Sequence, residues 1–211
     1  MANQINKDAL SHQIAAYITE QIISGELKPG DKLIENSYAE TYGISRAPIR
    51  DAFYILTLEG LVEKPPRKAA LVRKYSQTEI FDLLEIRNFL ESLAMKRIVT
   101  AGIDEGGLKL MNKKLEEMQN EKAPGKYARL NHSFHQHIID MSRSQMINDI
   151  YNRLGTPLLT VQSNSFSKEG KITKSLKEHF LLIQYLQSNE LKKAQQLLEK
   201  HNDDVLKDYM K

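Results

Sequence analysis

The stretch "IENSYAETYGISRAPIRDAFYILTLEG" (residues 34–60) constrains the fold more than any other part of the chain. It holds two short helical segments separated only by "GIS", a spacing that forces a helix-turn-helix. Gly43 suits a turn in which the backbone leaves the right-handed region. Ser45 is placed to cap the second helix, and Pro48 falls in its first turn, where a missing N–H costs nothing. Ile49, Phe53 and Leu56 share the side that would hold this helix to its module. Arg46 and Arg50, four residues apart, project from another. A helix of this kind can lie in the DNA major groove, and arginine is the side chain best fitted to guanine edges or phosphate.

The flanking sequence completes a module. Residues 8–24 place Leu10, Ile14, Tyr17, Ile18 and Ile22 at helical spacing, and "GELKPGDKL" ends that helix with two glycines and a proline. After Gly60, "LVEKPPRKAALVRK" reads as two short β-prone stretches around a proline pair, a small hairpin. Between residues 63 and 74 this hairpin carries Lys64, Arg67, Lys68, Arg73 and Lys74 against a single acid, Glu63. A basic run is usually just a solvated face, and two short helices can be a plain hairpin with two surface arginines. Turn, cap, paired arginines and basic wing in one order argue instead for a winged helix-turn-helix.

A second start signal follows at Ser76 and Glu79, in capping-box spacing. From there to Lys211 the chain reads as nearly all helix, with breaks expected at "TAGIDEGG", "EKAPGK", "GTP", "SKEGK" and "QSNE". The predicted fold is therefore mostly α. A winged helix-turn-helix of three helices and a small β-hairpin (residues 1–75) is joined to an all-helical antiparallel bundle (residues 76–211).

Composition narrows the setting. At 211 residues, with 41% apolar and 27% charged residues, the chain has enough sequence for real cores. It has no cysteine, so disulfides and thiolate metal sites are excluded, in keeping with a cytoplasmic protein. The polar start "MANQINKDALSHQ" lacks the apolar stretch of a signal peptide, and no run is long enough to span a membrane. A net charge of +3 does not by itself announce a nucleic-acid binder. Its placement on the hairpin is more telling.

The bundle holds a histidine-rich stretch, "LNHSFHQHII" (residues 130–139). Asn131 and His135 are four apart and share a helix face, whereas His132 and His137 point elsewhere. Near the end, "SLKEHFLLIQYLQSNELKKAQQLLEKHNDDV" reads as two helices joined at "SNE", with His179 before the turn and His201 after it. In an antiparallel hairpin they can face a common point. Three imidazoles and an amide oxygen converging inside a bundle can hold a divalent transition metal. On spacing alone the signal is weak, because isolated histidines on amphipathic helices are more often surface or core residues. His12, His132 and His137 are expected at the surface.

The N-terminal stretch "IISGELKPGDKLIENSYAETYGISRAPIRDAFYILTLEGLVEK" resembles the winged helix-turn-helix of GntR-type transcriptional regulators. By position, the resemblance implies DNA contacts from Asn36, Ser45, Arg46, Ala47 and Arg50, with the wing tip near Arg67 and Lys68. Two positions depart from the family pattern: Asn36 replaces a residue that is often basic, and Ala69 one that is usually glycine. Residues 79–211 resemble the FCD type of effector domain of the FadR-like branch, through "LLEIRNFLESLA", "LNHSFHQHII" and the last two helices. In many such domains an aspartate and three histidines bind a metal, with small carboxylates in the same cavity. The resemblance places those ligands at Asn131, His135, His179 and His201, and sets Arg87 against the carboxylate. Arg87 can equally form a salt bridge with Glu91, four residues on. Asn131 departs from the aspartate, so one charge and a strong oxygen donor are missing.

A metal-dependent enzyme built on the histidine cluster is the rival reading. The chain lacks an HExxH arrangement, Asn131 cannot take a proton, and Glu178 is directed away from its neighbour His179. An interaction module with a vestigial helix-turn-helix is a third reading, opposed by the basic wing and paired arginines. The expectation is a homodimeric regulator of a double-stranded DNA operator. It would be a repressor released by a small organic acid held with zinc, nickel or manganese.

Overall fold

The structure, a computed structural model, describes residues 5–207 and 209, with side chains from residue 10. The chain divides into two compact units, residues 1–75 and 76–211.

In the first unit, α1 (Ile5–Ser24), α2 (Glu35–Tyr42) and α3 (Arg46–Leu58) pack with strands β1 (Lys32–Leu33), β2 (Val62–Glu63) and β3 (Ala70–Val72). Ile14, Ile18 and Ile22 of α1 meet Ile49, Phe53 and Leu56 of α3 in a buried core that Leu33, Val62 and Val72 extend into the strands. Full burial of each such side chain is worth about 1.5–3 kcal/mol, which holds short helices that would not persist alone. Tyr17, although in helical register with the apolar positions, is half exposed and packs edge-on to Tyr42. Gly43 closes α2 at φ 64° and lets the chain reverse into α3.

The wing is a three-stranded antiparallel sheet in the order β1-β3-β2, rather than a hairpin alone. Lys32 pairs with Leu71, and Val62 with Val72. The third strand comes from "GELKPGDKL", which reads as a turn because only two of its residues pair. At the wing tip Arg67 adopts φ 61°, following Pro65 and Pro66. The left-handed residue is therefore Arg67, two positions before Ala69.

The second unit comprises α4 (Gln77–Ala101), α5 (Glu105–Gln119), α6 (Pro124–Met141), α7 (Gln145–Phe166), α8 (Lys171–Gln187) and α9 (Leu191–Lys207). Ser76 and Glu79 form the capping box at the head of α4. Helices α6 and α7 form the most extensive pair, and α4 lies against α6, α7 and α9. Met95, Ile98, Met111, Phe134, Ile138 and Leu198 are among the buried residues of the core.

The breaks after α4, α5, α7 and α8 fall where the sequence places them. The expected break at "GTP" does not occur: α7 runs through Pro157. The chain breaks instead at residues 142–144, where Arg143 is left-handed (φ 54°) and Ser144 accepts a capping hydrogen bond from the Ile147 N–H. Buried Leu158 and Leu159 on one side of the proline and Tyr151 on the other hold both halves of α7 in place. Gly155, also in that turn, leaves room for the His132 ring, which a Cβ would approach to 3.3 Å. The expected helical run ends within the description at α9; residues 208, 210 and 211 lie outside the described residues. No helix among the described residues is long and apolar enough to cross a membrane.

Candidate functional site

Four helices of the second unit deliver its polar interior. Helix α4 supplies Arg87 and Glu91, α6 supplies Asn131 and His135, α8 supplies His179, and α9 supplies His201; all six are buried. One ring nitrogen from each of His135, His179 and His201 lies within 4.8 Å of the others. The Nε2 atoms of His135 and His179 are 3.1 Å apart.

Two carboxylates orient these rings. Glu91 Oε2 lies 2.9 Å from His135 Nδ1, and Glu178 Oε2 lies 2.6 Å from His201 Nδ1. An ionised carboxylate only accepts, so each Nδ1 carries the proton, and a neutral ring then keeps its lone pair on Nε2. Glu91 is the hub. Its Oε1 accepts from Arg87 Nε at 2.8 Å and from the Tyr151 hydroxyl at 2.9 Å, and its Oε2 also accepts from Asn202 Nδ2 at 2.8 Å.

The charge states follow from these contacts. Burial works to raise the Glu91 carboxyl, but Arg87, His135 and the hydrogen bonds from His135 and Asn202 override it and hold it well below the ordinary range. Burial pushes His135 down to about 4, with Glu91 pulling the other way. His179 falls well below its ordinary value, through burial first and then His201, His135 and Arg87. At neutral pH His135 is therefore uncharged, and Arg87 is the counter-ion that keeps Glu91 ionised. Two neutral imidazoles remain with Nε2 atoms facing each other. Either His179 donates from Nε2, leaving its buried and unpartnered Nδ1 a bare acceptor, or a cation takes both lone pairs. Zinc-type bonds to imidazole of about 2.0–2.1 Å put ligand nitrogens roughly 3–3.5 Å apart. The His135–His179 pair meets that spacing, and His201 lies within 4.8 Å to complete a donor set of the type divalent transition metals take.

The cluster borders a cleft with about 470 Å³ of space, part of it open to solvent, lined by Arg87, Asn131, Gln162, Ser175, Glu178 and His201 among others. Arg87 thus makes the i,i+4 ion pair with Glu91 and also lines the cleft; its buried Nη2 has no hydrogen-bond partner. Asn131 is engaged by neighbours of its own: Nδ2 donates to Gln162 Oε1 at 3.4 Å, and Oδ1 accepts from Ser175 Oγ at 3.5 Å.

The expectation of surface positions fails for His132 and His137. His132 stacks on Tyr151 with ring centroids 5.3 Å apart, and burial lowers it to about 4. His137 is half-buried and lies 3.4 Å from Asp140. His132 turns toward α7 and His137 toward Asp140 of its own helix; α6 is packed against α4, α5 and α7, and a helix so placed has little solvated face. His12 is exposed. Sequence reading also missed Tyr151, Asn202 and the role of Glu178. Glu91 was visible as the i+4 partner of Arg87; Glu178 signals itself only through its place in the α8–α9 hairpin.

On the first unit, Asn36, Ser45, Arg46, Ala47, Arg50, Arg67 and Lys68 are all exposed. Ser45 is the N-cap residue of α3, but its hydroxyl makes no capping hydrogen bond. Arg46 Nη1 donates to Asn36 Oδ1 at 3.4 Å. Glu35, which carried no signal in the sequence, pairs with Arg50 at 3.3 Å and Lys64 at 2.8 Å.

Residues 10–72 match the gntR family of bacterial regulatory proteins, and residues 82–204 match the FCD domain. Among curated relatives, the gluconate operon transcriptional repressor of Bacillus subtilis (strain 168) is 27% identical over 97% of this chain and 86% of its own length. The transcriptional repressor RspR of Escherichia coli (strain K12) is 22% identical over 93% of this chain and 87% of its own. Among solved structures, a GntR-type transcriptional regulator from Rhodococcus sp. RHA1 superposes with a TM-score of 0.73 at 19% identity, covering 95% of this chain and 97% of that one. E. coli McbR/YncC superposes at 0.72 and 20% identity, covering 96% and 99%. These relatives are regulators rather than enzymes, which sets aside the metal-dependent enzyme. With both of its units matched in this order, the chain belongs to the GntR family of transcriptional regulators and its larger unit is an FCD domain.

Proposed function

We propose that the protein is a cytoplasmic, homodimeric repressor that leaves its operator when a small organic acid binds in the helical unit. The observation that carries this reading is the buried centre itself. Three imidazoles converge beside a cleft that His201 lines, and a buried arginine on the cleft wall retains an unpartnered N–H group. Such a centre is built to hold an anion. Both carboxylates near the imidazoles are occupied as their acceptors, which favours binding over general-base chemistry. The family and its named repressors support the sign of regulation.

His135, His179 and His201 would hold a zinc, nickel or manganese ion, with Asn131 as the neutral oxygen donor at the edge of the set. A bound ion would supply positive charge and Lewis acidity toward a ligand carboxylate. Arg87 would take the other end of that carboxylate, while Glu91 fixes the arginine and the His135 tautomer together. Asn36, Ser45, Arg46, Ala47 and Arg50 would contact the operator, with Arg67 and Lys68 on the wing reaching its flank. Two copies would read the half-sites of a near-palindromic sequence. The acid acts only through its different affinity for the DNA-competent and released states.

The test begins with selection of duplexes from a randomised library, followed by fluorescence anisotropy on the selected sequence. Arg50→Ala should lose sequence-selective binding while keeping its circular dichroism, and a panel of small hydroxy acids should contain one that weakens wild-type binding. An Arg50→Ala variant that binds the selected duplex as the wild type does would overturn the reading.

A further inference from the structure

One carboxylate sits among the cations that the DNA-reading face presents. Glu35 opens α2, and its Oε2 accepts from Arg50 Nε at 3.4 Å and from Arg50 Nη2 at 3.3 Å. Its Oε1 accepts from Lys64 Nζ at 2.8 Å. Beside it, Asn36 accepts from Arg46. One turn of α2 thus gathers both arginines of α3 and the lysine that follows β2. Lys64 and Arg50 hold the Glu35 carboxyl below its ordinary value against the opposing effect of burial, so it is charged at neutral pH.

Stability does not account for this arrangement. Arg50 and Lys64 are well exposed, and exposed ion pairs contribute little to folding. A negative charge on a face that meets a polyanion also weakens sequence-independent binding. What the carboxylate does supply is orientation. Arginine carries much rotamer freedom, and a fork held in place loses less of it on meeting a base edge. The same charge repels phosphate, so it penalises any mode in which Arg50 and Lys64 serve only as backbone anchors. An acidic side chain in the first turn of a helix also favours that helix through its dipole, and this is the plain structural alternative.

We propose that Glu35 is a positioning and specificity-determining residue for operator recognition, setting Arg50 of the recognition helix and Lys64 of the wing in register. The inference rests on the reading of the first unit as the operator-binding module.

The experiment compares wild type, Glu35→Gln and Glu35→Asp in the full chain. Each is titrated against the duplex selected by the wild type and against a scrambled duplex of the same composition, over a series of NaCl concentrations. Glu35→Gln should bind the scrambled duplex more tightly, and its selected-to-scrambled affinity ratio should fall by about tenfold, the scale of one lost base contact. Glu35→Asp, which keeps the charge, should recover part of that ratio. An unchanged ratio in Glu35→Gln overturns the proposal. So does an equal loss on both duplexes accompanied by a lower unfolding midpoint, which is the signature of the dipole role alone. A wild type that prefers no duplex overturns the underlying operator reading, a result separate from any behaviour of the variants.

Discussion

Glu91 is the residue on which the buried centre turns. It neutralises Arg87 and fixes the His135 tautomer, and the hydroxyl of Tyr151 and the amide of Asn202 fill its remaining acceptor sites. Removing its charge would leave the Arg87 guanidinium buried without a counter-ion, a change that costs roughly 3–5 kcal/mol. Glu91→Gln should therefore lower the urea midpoint strongly. Tyr151→Phe deletes only one hydrogen bond to a charged acceptor and should cost about 1.5–3 kcal/mol. Equal destabilisation by the two variants would show that Glu91 is not the hub.

At the scale of elements, α7 shows tertiary packing overriding local preference. A proline inside a helix removes one backbone hydrogen bond and crowds the preceding turn, at a cost of about 3 kcal/mol relative to alanine. Helix α7 nevertheless continues through Pro157 because buried side chains on both sides of it are held against neighbouring helices. Pro157→Ala should raise the unfolding midpoint, by about 1–3 kcal/mol in stability. A lower midpoint would mean that the proline ring contributes more by packing than the missing hydrogen bond costs. The displaced break has a local signal after all, since Ser144 is a good N-cap in "MSRSQM". Proline and glycine are the stronger general markers of a break, so the sequence alone points to "GTP" instead.

For the whole molecule, the two units have separate hydrophobic cores, one built on α1 and α3 and the other on α4 to α9. Two cores allow two thermal transitions. A cation held by His135, His179 and His201 stabilises only the state that gathers them, by about 2.7 kcal/mol at a concentration a hundredfold above Kd. Calorimetry with added zinc, nickel or manganese should therefore shift the transition of residues 76–211 and leave that of residues 1–75 in place. Chelation should reverse the shift, and His179→Ala should abolish it. A shift that survives His179→Ala would move the metal away from this centre.

The sequence by itself determined the winged helix-turn-helix, because each signal there acts within a few residues. Gly43 ends one helix, Ser45 and Pro48 begin the next, and Ile49, Phe53 and Leu56 face inward at helical spacing. It also determined that the remainder is a helical bundle, with His179 and His201 on either side of one turn. The tertiary structure decided what the bundle does with its polar residues. Arg87 and His201 are separated by most of the second unit, and no local rule brings them to one cleft. The Glu91 and Glu178 contacts that set the imidazole tautomers, the stacking of His132 on Tyr151 and the pairing of Glu35 with Arg50 and Lys64 all cross between elements. Ionisation and hydrogen-bond roles depend on desolvation and on the nearest charge, and both exist only once the helices have packed.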